Sequence, residues 1–193
     1  MVKRIAWLLV PMVLLAAPLG AQNYTSLELG FGYANWGADV PNAQFTGIES
    51  RRMHGFAMHQ TINLTSWFAI DNYLGAYSYP SIDLPTQSGT VTLKPTAIYN
   101  VFGVKLTARD LLDGAISPFV VAGFGGGSVS DRNRGVGFSS AAARYGGGFD
   151  INLNEGFAFR VDASNMAVGR SFVSTGWSSD FNVATSIILK LDF

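Results

Sequence analysis

FNVATSIILKLDF, residues Phe181 to Phe193, carries the pattern that decides the fold. Odd-numbered positions hold mostly apolar residues, whereas even-numbered positions include Asn182, Ser186 and Lys190. Side chains of a β-strand point alternately to its two faces, so a period of two predicts a strand with one apolar and one polar face. The stretch is also long enough to cross a bilayer as a tilted strand.

The same alternation recurs along the chain, for example from Ser26 to Tyr33 and from Phe157 to Ser164. With 22 glycines among 193 residues, long amphipathic helices are disfavoured. About eight segments of this kind can be counted, each near the length of a membrane-crossing strand. They span residues 23–34, 51–63, 67–78, 91–106, 117–129, 137–153, 156–167 and 181–193.

The connections between these segments alternate in length. Those at 63–66 and 154–156 are short, whereas those at 36–50 and 79–90 are long and rich in Pro, Gly, Ser or Asn. Short turns on one side and long loops on the other are typical of an up-and-down membrane barrel. The predicted fold is therefore all-β, an eight-stranded antiparallel up-and-down transmembrane β-barrel.

Two of the eight segments alternate imperfectly. In the fourth, the polar residues Thr92 and Lys94 stand at even-numbered positions, as do the apolar Phe102 and Val104, so a regular strand would put them on the same face. This change of character predicts a bulge near residues 98–101. In the fifth, the apolar run that begins at Phe119 reveals no preferred face.

The first residues predict a secretory signal peptide. Lys3 and Arg4 precede an apolar run from Ile5 to Leu15, and small residues follow up to Ala21. The run is shorter than the roughly 18 apolar residues of a spanning helix. We therefore expect residues 1–21 to be the signal peptide and residues 22–193 to be the barrel domain.

Composition narrows the range of functions. Charged residues make up 13% of the chain, and removal of Lys3 and Arg4 would leave 11 basic residues against 13 acidic ones. That balance gives no reason to expect a nucleic-acid partner. The chain has no cysteine and two histidines, so we expect no disulfide, no metal and no cofactor.

The charged residues of the segments fall on their polar faces. An eight-stranded barrel has an interior just wide enough for side chains to fill it, so charges of both signs can neutralise one another inside. Apolar faces turned inward would instead give a secreted lipocalin-like binding protein with its charges outside. We interpret the charges as a network that plugs a polar lumen, formed by Glu28, Asp71, Lys94, Arg144, Asp150, Arg160, Asp162, Lys190 and Asp192.

Several motifs resemble those of bacterial outer-membrane proteins. The ending from Ile187 to Phe193 looks like the C-terminal insertion signal that the barrel assembly machinery reads. The segments 54–58 and 63–71 resemble the second strand, the tight turn and the third strand of OmpA-like barrel domains. Residues 118–125 resemble the fifth strand of that family, and the likeness covers nearly the whole chain after residue 21.

The resemblance implies an assembly signal formed by Ile187, Leu189, Leu191 and Phe193. It also implies a monomer in the outer membrane of a Gram-negative type cell, in contact with lipid and lipopolysaccharide. It extends to the transmembrane domain alone, because the chain stops at Phe193, so neither a peptidoglycan-binding domain nor cell-wall anchoring is implied.

The chain carries only part of the motif of a known outer-membrane enzyme family. Lipid A deacylases carry His-x-Ser-Asn, whereas residues 162–165 read Asp-Ala-Ser-Asn, so the base for Ser164 is missing. His54 and His59 stand five residues apart on one predicted strand, which puts them on opposite faces. Arg132 and Arg134 are interpreted as solvated loop residues, with contact to lipopolysaccharide phosphates as the alternative.

These observations favour a structural or surface-interaction role without catalysis. The alternative is a narrow porin-like channel for small solutes, and a lipid-modifying outer-membrane enzyme comes third.

Overall fold

A computed structural model of the chain describes residues 26–38, 51–78, 81–86, 89–108, 114–131, 136–169 and 178–192. None of these residues belongs to a helix that could span a membrane. The described strands are β1 (Ser26–Ala38), β2 (Arg51–Asn63), β3 (Phe68–Ser78), β4 (Ile82–Thr86), β5 (Gly89–Leu93), β6 (Pro95–Thr107), β7 (Ile116–Asp131), β8 (Val136–Asn152), β9 (Phe157–Val168) and β10 (Ser178–Asp192).

Eight of these strands close into an antiparallel barrel. They follow the order β1, β2, β3, β6, β7, β8, β9 and β10, and β10 pairs back to β1. Strands β4 and β5 form a separate two-stranded hairpin between β3 and β6. The predicted eight-stranded up-and-down barrel is thereby confirmed, and the hairpin is an addition that the alternation did not predict.

The strands are staggered around the barrel. A path of paired residues that starts at Ser26 and crosses each strand once returns to β1 at Trp36, ten residues further along. A stagger of this kind requires the strands to tilt against the barrel axis. Side chains from several strands therefore meet in the narrow interior at each level.

The two ends of the barrel differ, and we call them the turn end and the loop end. At the turn end, β2–β3, β6–β7 and β8–β9 are joined by short connections. The Oγ1 of Thr65 accepts a hydrogen bond from the backbone N–H of Phe68 at 2.9 Å, and the Oδ1 of Asn154 accepts one from Phe157 at 2.9 Å. These side-chain bonds stabilise the tight reversals. The loop end carries the longer connections and the β4–β5 hairpin.

Alternation along each barrel strand separates an outer wall from a lumen. In β10, Ile187 is 50% exposed, whereas the next residue, Ile188, is fully buried. Asn182, Ala184 and Ser186 share the buried side with Ile188. The chemically identical side chains of Ile187 and Ile188 thus show that burial follows strand parity and not hydrophobicity.

The bulge expected near residues 98–101 is wrong. Pairing of β6 with both β3 and β7 runs without interruption through these residues. The polar residues that suggested a change of face belong elsewhere: Thr92 lies in β5, and Lys94 lies between β5 and β6. Residues 91–106 were predicted as one strand, whereas they belong to two.

Strand β7 has two faces that its sequence conceals. Phe119 and Val121 point inward and are buried, whereas Val120 and Phe124 point outward and are exposed. The next inward positions are Gly123, Gly125 and Gly127, where a Cβ atom would collide with residues of β6. A Cβ atom on Gly127 would lie 2.7 Å from Cε1 of Tyr99, which faces it from β6.

Three predicted features lie outside the described residues. They are the signal peptide at 1–21, the loop arginines Arg132 and Arg134, and Phe193 of the assembly signal.

Candidate functional site

The turn-end half of the lumen contains a compact charge cluster drawn from four strands. Lys105 of β6 donates from Nζ to Oε2 of Glu28 in β1 at 2.7 Å, and lies 3.6 Å from Oδ2 of Asp150 in β8. Arg160 of β9 donates from Nε to Oδ1 of Asp150 at 2.7 Å and from Nη2 to Oε2 of Glu28 at 2.7 Å. Two cations and two carboxylates therefore balance within this cluster.

An aromatic ring packs against the same cluster. The Phe119 ring centroid lies 5.3 Å from Nζ of Lys105 and 4.9 Å from Cζ of Arg160. A ring face attracts a desolvated cation. Asn63 adds a hydrogen bond from Nδ2 to Oε1 of Glu28 at 3.0 Å. The buried charges are thus paired and hydrogen-bonded, which removes most of the penalty for taking them out of water.

A second charge cluster, centred on Arg144, lies further from the turn end. Its guanidinium donates to Oδ2 of Asp71 at 3.2 Å and to Oδ2 of Asp162. Asp71 also accepts a hydrogen bond from Thr61 at 2.7 Å. Ser164 donates to Oδ1 of Asp162 at 3.0 Å. The arrangement ties β2, β3, β8 and β9 together across the lumen.

The loop-end half of the lumen is filled mainly by aromatic and apolar side chains. Trp36 packs against Tyr99 with ring centroids 5.1 Å apart and against Tyr77 at 5.3 Å. The hydroxyl of Tyr77 bonds to that of Tyr73 at 2.6 Å and donates to Asn182 at 3.0 Å. Met53, Met166 and Val168 belong to the same buried cluster. The expected polar lining therefore describes the turn-end half, and the other half is largely apolar.

Side chains from every barrel strand block the turn-end half of the lumen. Each of the eight strands contributes at least one inward side chain that is almost completely shielded from solvent. One such set is Glu28, Thr61, Asp71, Lys105, Phe119, Asp150, Arg160 and Ile188. Because the charged members of this set are held by hydrogen bonds, a solute would have to break charge pairs in order to pass.

The nine predicted network residues fall into four groups in the structure. Lys94 is a correction: it is exposed and lies outside the barrel strands, because the polar residues near it belong to the hairpin region and not to β6. Lys190 lies at the turn end and donates to Oδ1 of Asn152 at 2.6 Å. The side chain of Asp192 lies outside the described set. The lumen clusters contain the other six: Glu28, Asp71, Arg144, Asp150, Arg160 and Asp162.

Sequence reasoning missed Lys105, which is fully buried at the centre of the turn-end cluster. The signal was present, since Lys105 alternates with Val104 and Leu106. It was obscured because residues 91–106 were treated as one strand, which put Lys94 on the polar face. When the strand is taken to begin at Pro95, its odd-numbered positions, including Lys105, point inward.

The structure describes three of the four predicted assembly-signal residues. Ile187 is half exposed on the outer wall, and Leu189 and Leu191 occupy further outward positions of β10. Phe193 is outside the described range.

The serine with a partial deacylase motif lies inside the barrel. Ser164 is buried, bonds to Asp162 and accepts from Nε of Arg144 at 3.2 Å. A lipid substrate would meet the outer wall, whereas this hydroxyl faces the filled lumen. Among the described residues, no group of three or more His, Asp or Glu side chains is placed to hold a metal ion.

The outer wall contrasts with the lumen in its charge. In the barrel strands, every Asp, Glu, Lys and Arg with a described side chain occupies an inward position. Outward positions instead carry exposed apolar and aromatic side chains, among them Phe31, Phe56, Phe102, Val104, Leu106, Val120, Phe124, Tyr145, Phe149, Phe157, Phe181 and Ile187. A barrel surrounded by water would show the reverse arrangement.

No protein-family model matches the chain, and no curated protein matches it significantly. Solved structures do match it. Neisserial surface protein A aligns with a TM-score of 0.59 at 9% identity, over 88% of this chain and 97% of that one. The outer membrane protein OprG of Pseudomonas aeruginosa aligns with a TM-score of 0.58 at 12% identity, over 89% and 98%.

A third similar structure is the attachment invasion locus protein Ail of Yersinia pestis. In its complex with the heparin analogue sucrose octasulfate, it aligns with a TM-score of 0.58 at 12% identity, over 86% of this chain and 99% of that one. The chain has the fold of the small outer-membrane β-barrels. At these identities the likeness concerns the fold.

Proposed function

We propose that this chain is an integral outer-membrane β-barrel with a sealed lumen, and that its role is structural or depends on contacts made by its outer wall and loop end. The observation that carries the proposal is the placement of every described strand charge inside the barrel. An apolar band on an eight-stranded barrel suits the hydrocarbon core of a bilayer, where an exposed charge is costly.

Residues 1–21 support export to that membrane. Their basic start, short apolar run and small-residue end fit a secretory signal peptide. The structural neighbours include proteins named as outer-membrane or surface proteins, which supports the same location. A monomer is the state that we propose, because a closed barrel leaves no strand edge in need of a partner.

The filled lumen disfavours the alternative of a narrow solute channel. Opening the turn-end half would require Arg160 to leave two carboxylates that it contacts at 2.7–2.8 Å. An enzyme on the outer wall is disfavoured because Ser164, the residue with a partial catalytic motif, faces inward.

The loop end does not suit a polyanion. Ail is seen bound to a sulfated sugar, which raises the same possibility for this chain. In the sequence, the segments between the strands that meet at the loop end, with the strand ends next to them, contain six basic and five acidic residues, so we expect only weak long-range attraction of a polyanion. The basic residues are Arg51, Arg52, Lys94, Arg132, Arg134 and Arg170, and the acidic ones are Asp39, Glu49, Asp83, Asp131 and Asp180.

Planar-bilayer recording of the refolded barrel tests the sealed lumen. The protein should give no stable open level, while a wide porin inserted in the same chamber conducts. A steady conductance that depends on the number of inserted barrels would replace the proposal with the channel alternative. Fractionation of expressing cells tests the location, and recovery of the folded protein away from the outer membrane would contradict it.

A further inference from the structure

A cluster of polar side chains interrupts the apolar outer wall near the loop end. It consists of Tyr33 and Asn35 of β1 and His54 of β2, and His54 pairs with Asn35 in the register of the two strands. The rings of Tyr33 and His54 stack with centroids 5.9 Å apart and planes inclined by 28°. Tyr33 is 51% exposed and His54 is also exposed, so the cluster faces the surroundings of the barrel.

The contacts within the cluster engage one nitrogen of the His54 ring. The hydroxyl of Tyr33 contacts Nδ1, and Nδ2 of Asn35 lies 3.5 Å from the same atom. The described contacts therefore involve Nδ1, which leaves Nε2 as the ring nitrogen that can meet a group outside the cluster. In the tautomer that carries its proton on Nε2, Tyr33 donates to Nδ1 and His54 offers an N–H donor on the outer wall.

An apolar surface lies directly beside the cluster, on the side nearer the turn end. Phe31 and Phe56 are outward neighbours of Tyr33 and His54, with ring centroids 6.2 Å apart. Both rings are exposed. On the other side, the strand continues toward the loop end. The site thus passes from aromatic rings to a hydrogen-bonding cluster along the outer wall.

This order matches the chemistry of a membrane lipid with a phosphorylated headgroup. Acyl chains pack on aromatic rings, and a phosphate oxygen accepts a hydrogen bond from an imidazole N–H. Aromatic and amphipathic side chains are common at the level of lipid headgroups. A plain aromatic girdle needs no contact that orients an imidazole, whereas here the stacking on Tyr33 and the contact at Nδ1 orient the ring of His54.

We propose that Tyr33, Asn35 and His54 form a binding site for the phosphorylated headgroup of an outer-leaflet lipid, with Nε2 of His54 as the donor to phosphate. The site rests on the proposed membrane location of the barrel. Tyr33 and Asn35 act as positioning residues that orient the ring. Lipid A and phospholipids share this phosphate chemistry.

Native mass spectrometry of the refolded full barrel in detergent tests the site. The probes are bisphosphorylated lipid A, the same lipid A without its phosphates, and phosphatidylglycerol. We expect His54→Ala to weaken retention of the phosphorylated probes by about tenfold, the scale of one hydrogen bond to a charged group. Asn165→Ala is the matched control, because Asn165 is an outward polar residue of β9 near the loop end, and this variant should retain lipid as the wild type does.

The outcomes separate the lipid sources and the two proposals. Stronger retention of lipid A than of phosphatidylglycerol assigns the site to lipopolysaccharide, and equal retention assigns it to any phosphorylated lipid. Equal binding of dephosphorylated lipid A, or an equal loss in Asn165→Ala, overturns the site. If the barrel inserts into bilayers but binds none of the probes, the lipid site is refuted and the proposed function stands. If the barrel fails to insert, the proposed function is refuted as well.

A second measurement does not depend on a variant. The chain has two histidines, so their ring resonances can be distinguished by nuclear magnetic resonance. Phosphorylated lipid A should shift the resonance of His54 and leave that of His59, which is buried in the lumen, unchanged. A shift of neither, or of both equally, overturns the site.

Discussion

Replacing Arg160 with alanine would remove the central cation of the turn-end cluster. Its guanidinium makes three hydrogen bonds of 2.7–2.8 Å to two buried carboxylates. After its removal, Glu28 and Asp150 would share Lys105, which lies 2.7 Å from one and 3.6 Å from the other. The cluster would then hold two negative charges against one positive charge in a site without water access.

The expected loss of stability is about 3–5 kcal/mol, because breaking a buried ion pair leaves an uncompensated charge. An exposed pair contributes less than about 1 kcal/mol. With a denaturant dependence of about 2 kcal/mol per molar urea, the expected loss moves the unfolding midpoint by about 2 M. Lost packing on the ring of Phe119, which lies 4.9 Å from the guanidinium carbon, adds to the effect.

Urea unfolding of the barrel in lipid vesicles, followed by heat-modifiable migration on gels, measures this difference. Lys94→Ala is the control, because Lys94 is an exposed cation outside the barrel strands. Adding Asp150→Ala to Arg160→Ala should restore part of the stability, since Glu28 and Lys105 then balance. A loss in Arg160→Ala no larger than that in Lys94→Ala would refute the buried network.

Three further predictions concern assembly, the outer wall and activity. Deleting Phe193 should lower the amount of heat-modifiable barrel in outer membranes, and unchanged assembly would count against the predicted signal. Ile187→Arg should lower the free energy of unfolding in vesicles by about 2–4 kcal/mol, because it places a charge in hydrocarbon. Ser179→Arg, at an exposed position nearer the loop end, should lower it much less, and equal losses would contradict the placement of the outer wall. Purified protein should leave the mass spectrum of lipid A unchanged, and an acyl release that Ser164→Ala abolishes would establish an enzyme.

The fold was predictable because strand parity is visible wherever one face is apolar. In β10 and β1, the apolar positions alternate cleanly, and their predicted faces agree with the exposure of Ile187 and Phe31 and the burial of Ser186 and Glu28. Strand β7 hid its faces, since its inward positions combine apolar side chains with glycines that make room for neighbours such as Tyr99.

The lumen was predictable only in part, because its contents depend on which strands face each other. Parity indicated that Arg160 and Asp150 point inward, but the pairing of Arg160 with Glu28 of β1 depends on the register around the whole barrel. The aromatic loop-end half was missed, since Trp36 was assigned to the connection at 36–50 and Tyr99 lies where a bulge was expected. The β4–β5 hairpin was missed because β4 falls within the predicted connection 79–90 and β5 overlaps the predicted segment 91–106.

The most direct test of the account asks what surrounds the outer wall. The chain has no cysteine, so a single one introduced at Ile187 or Val120 can carry a bimane fluorophore without competing sites. In vesicles, brominated acyl chains should quench the fluorescence at both outward positions, and iodide in the water should not. Strong quenching by iodide with no response to brominated lipid would contradict the claim that this wall faces a bilayer.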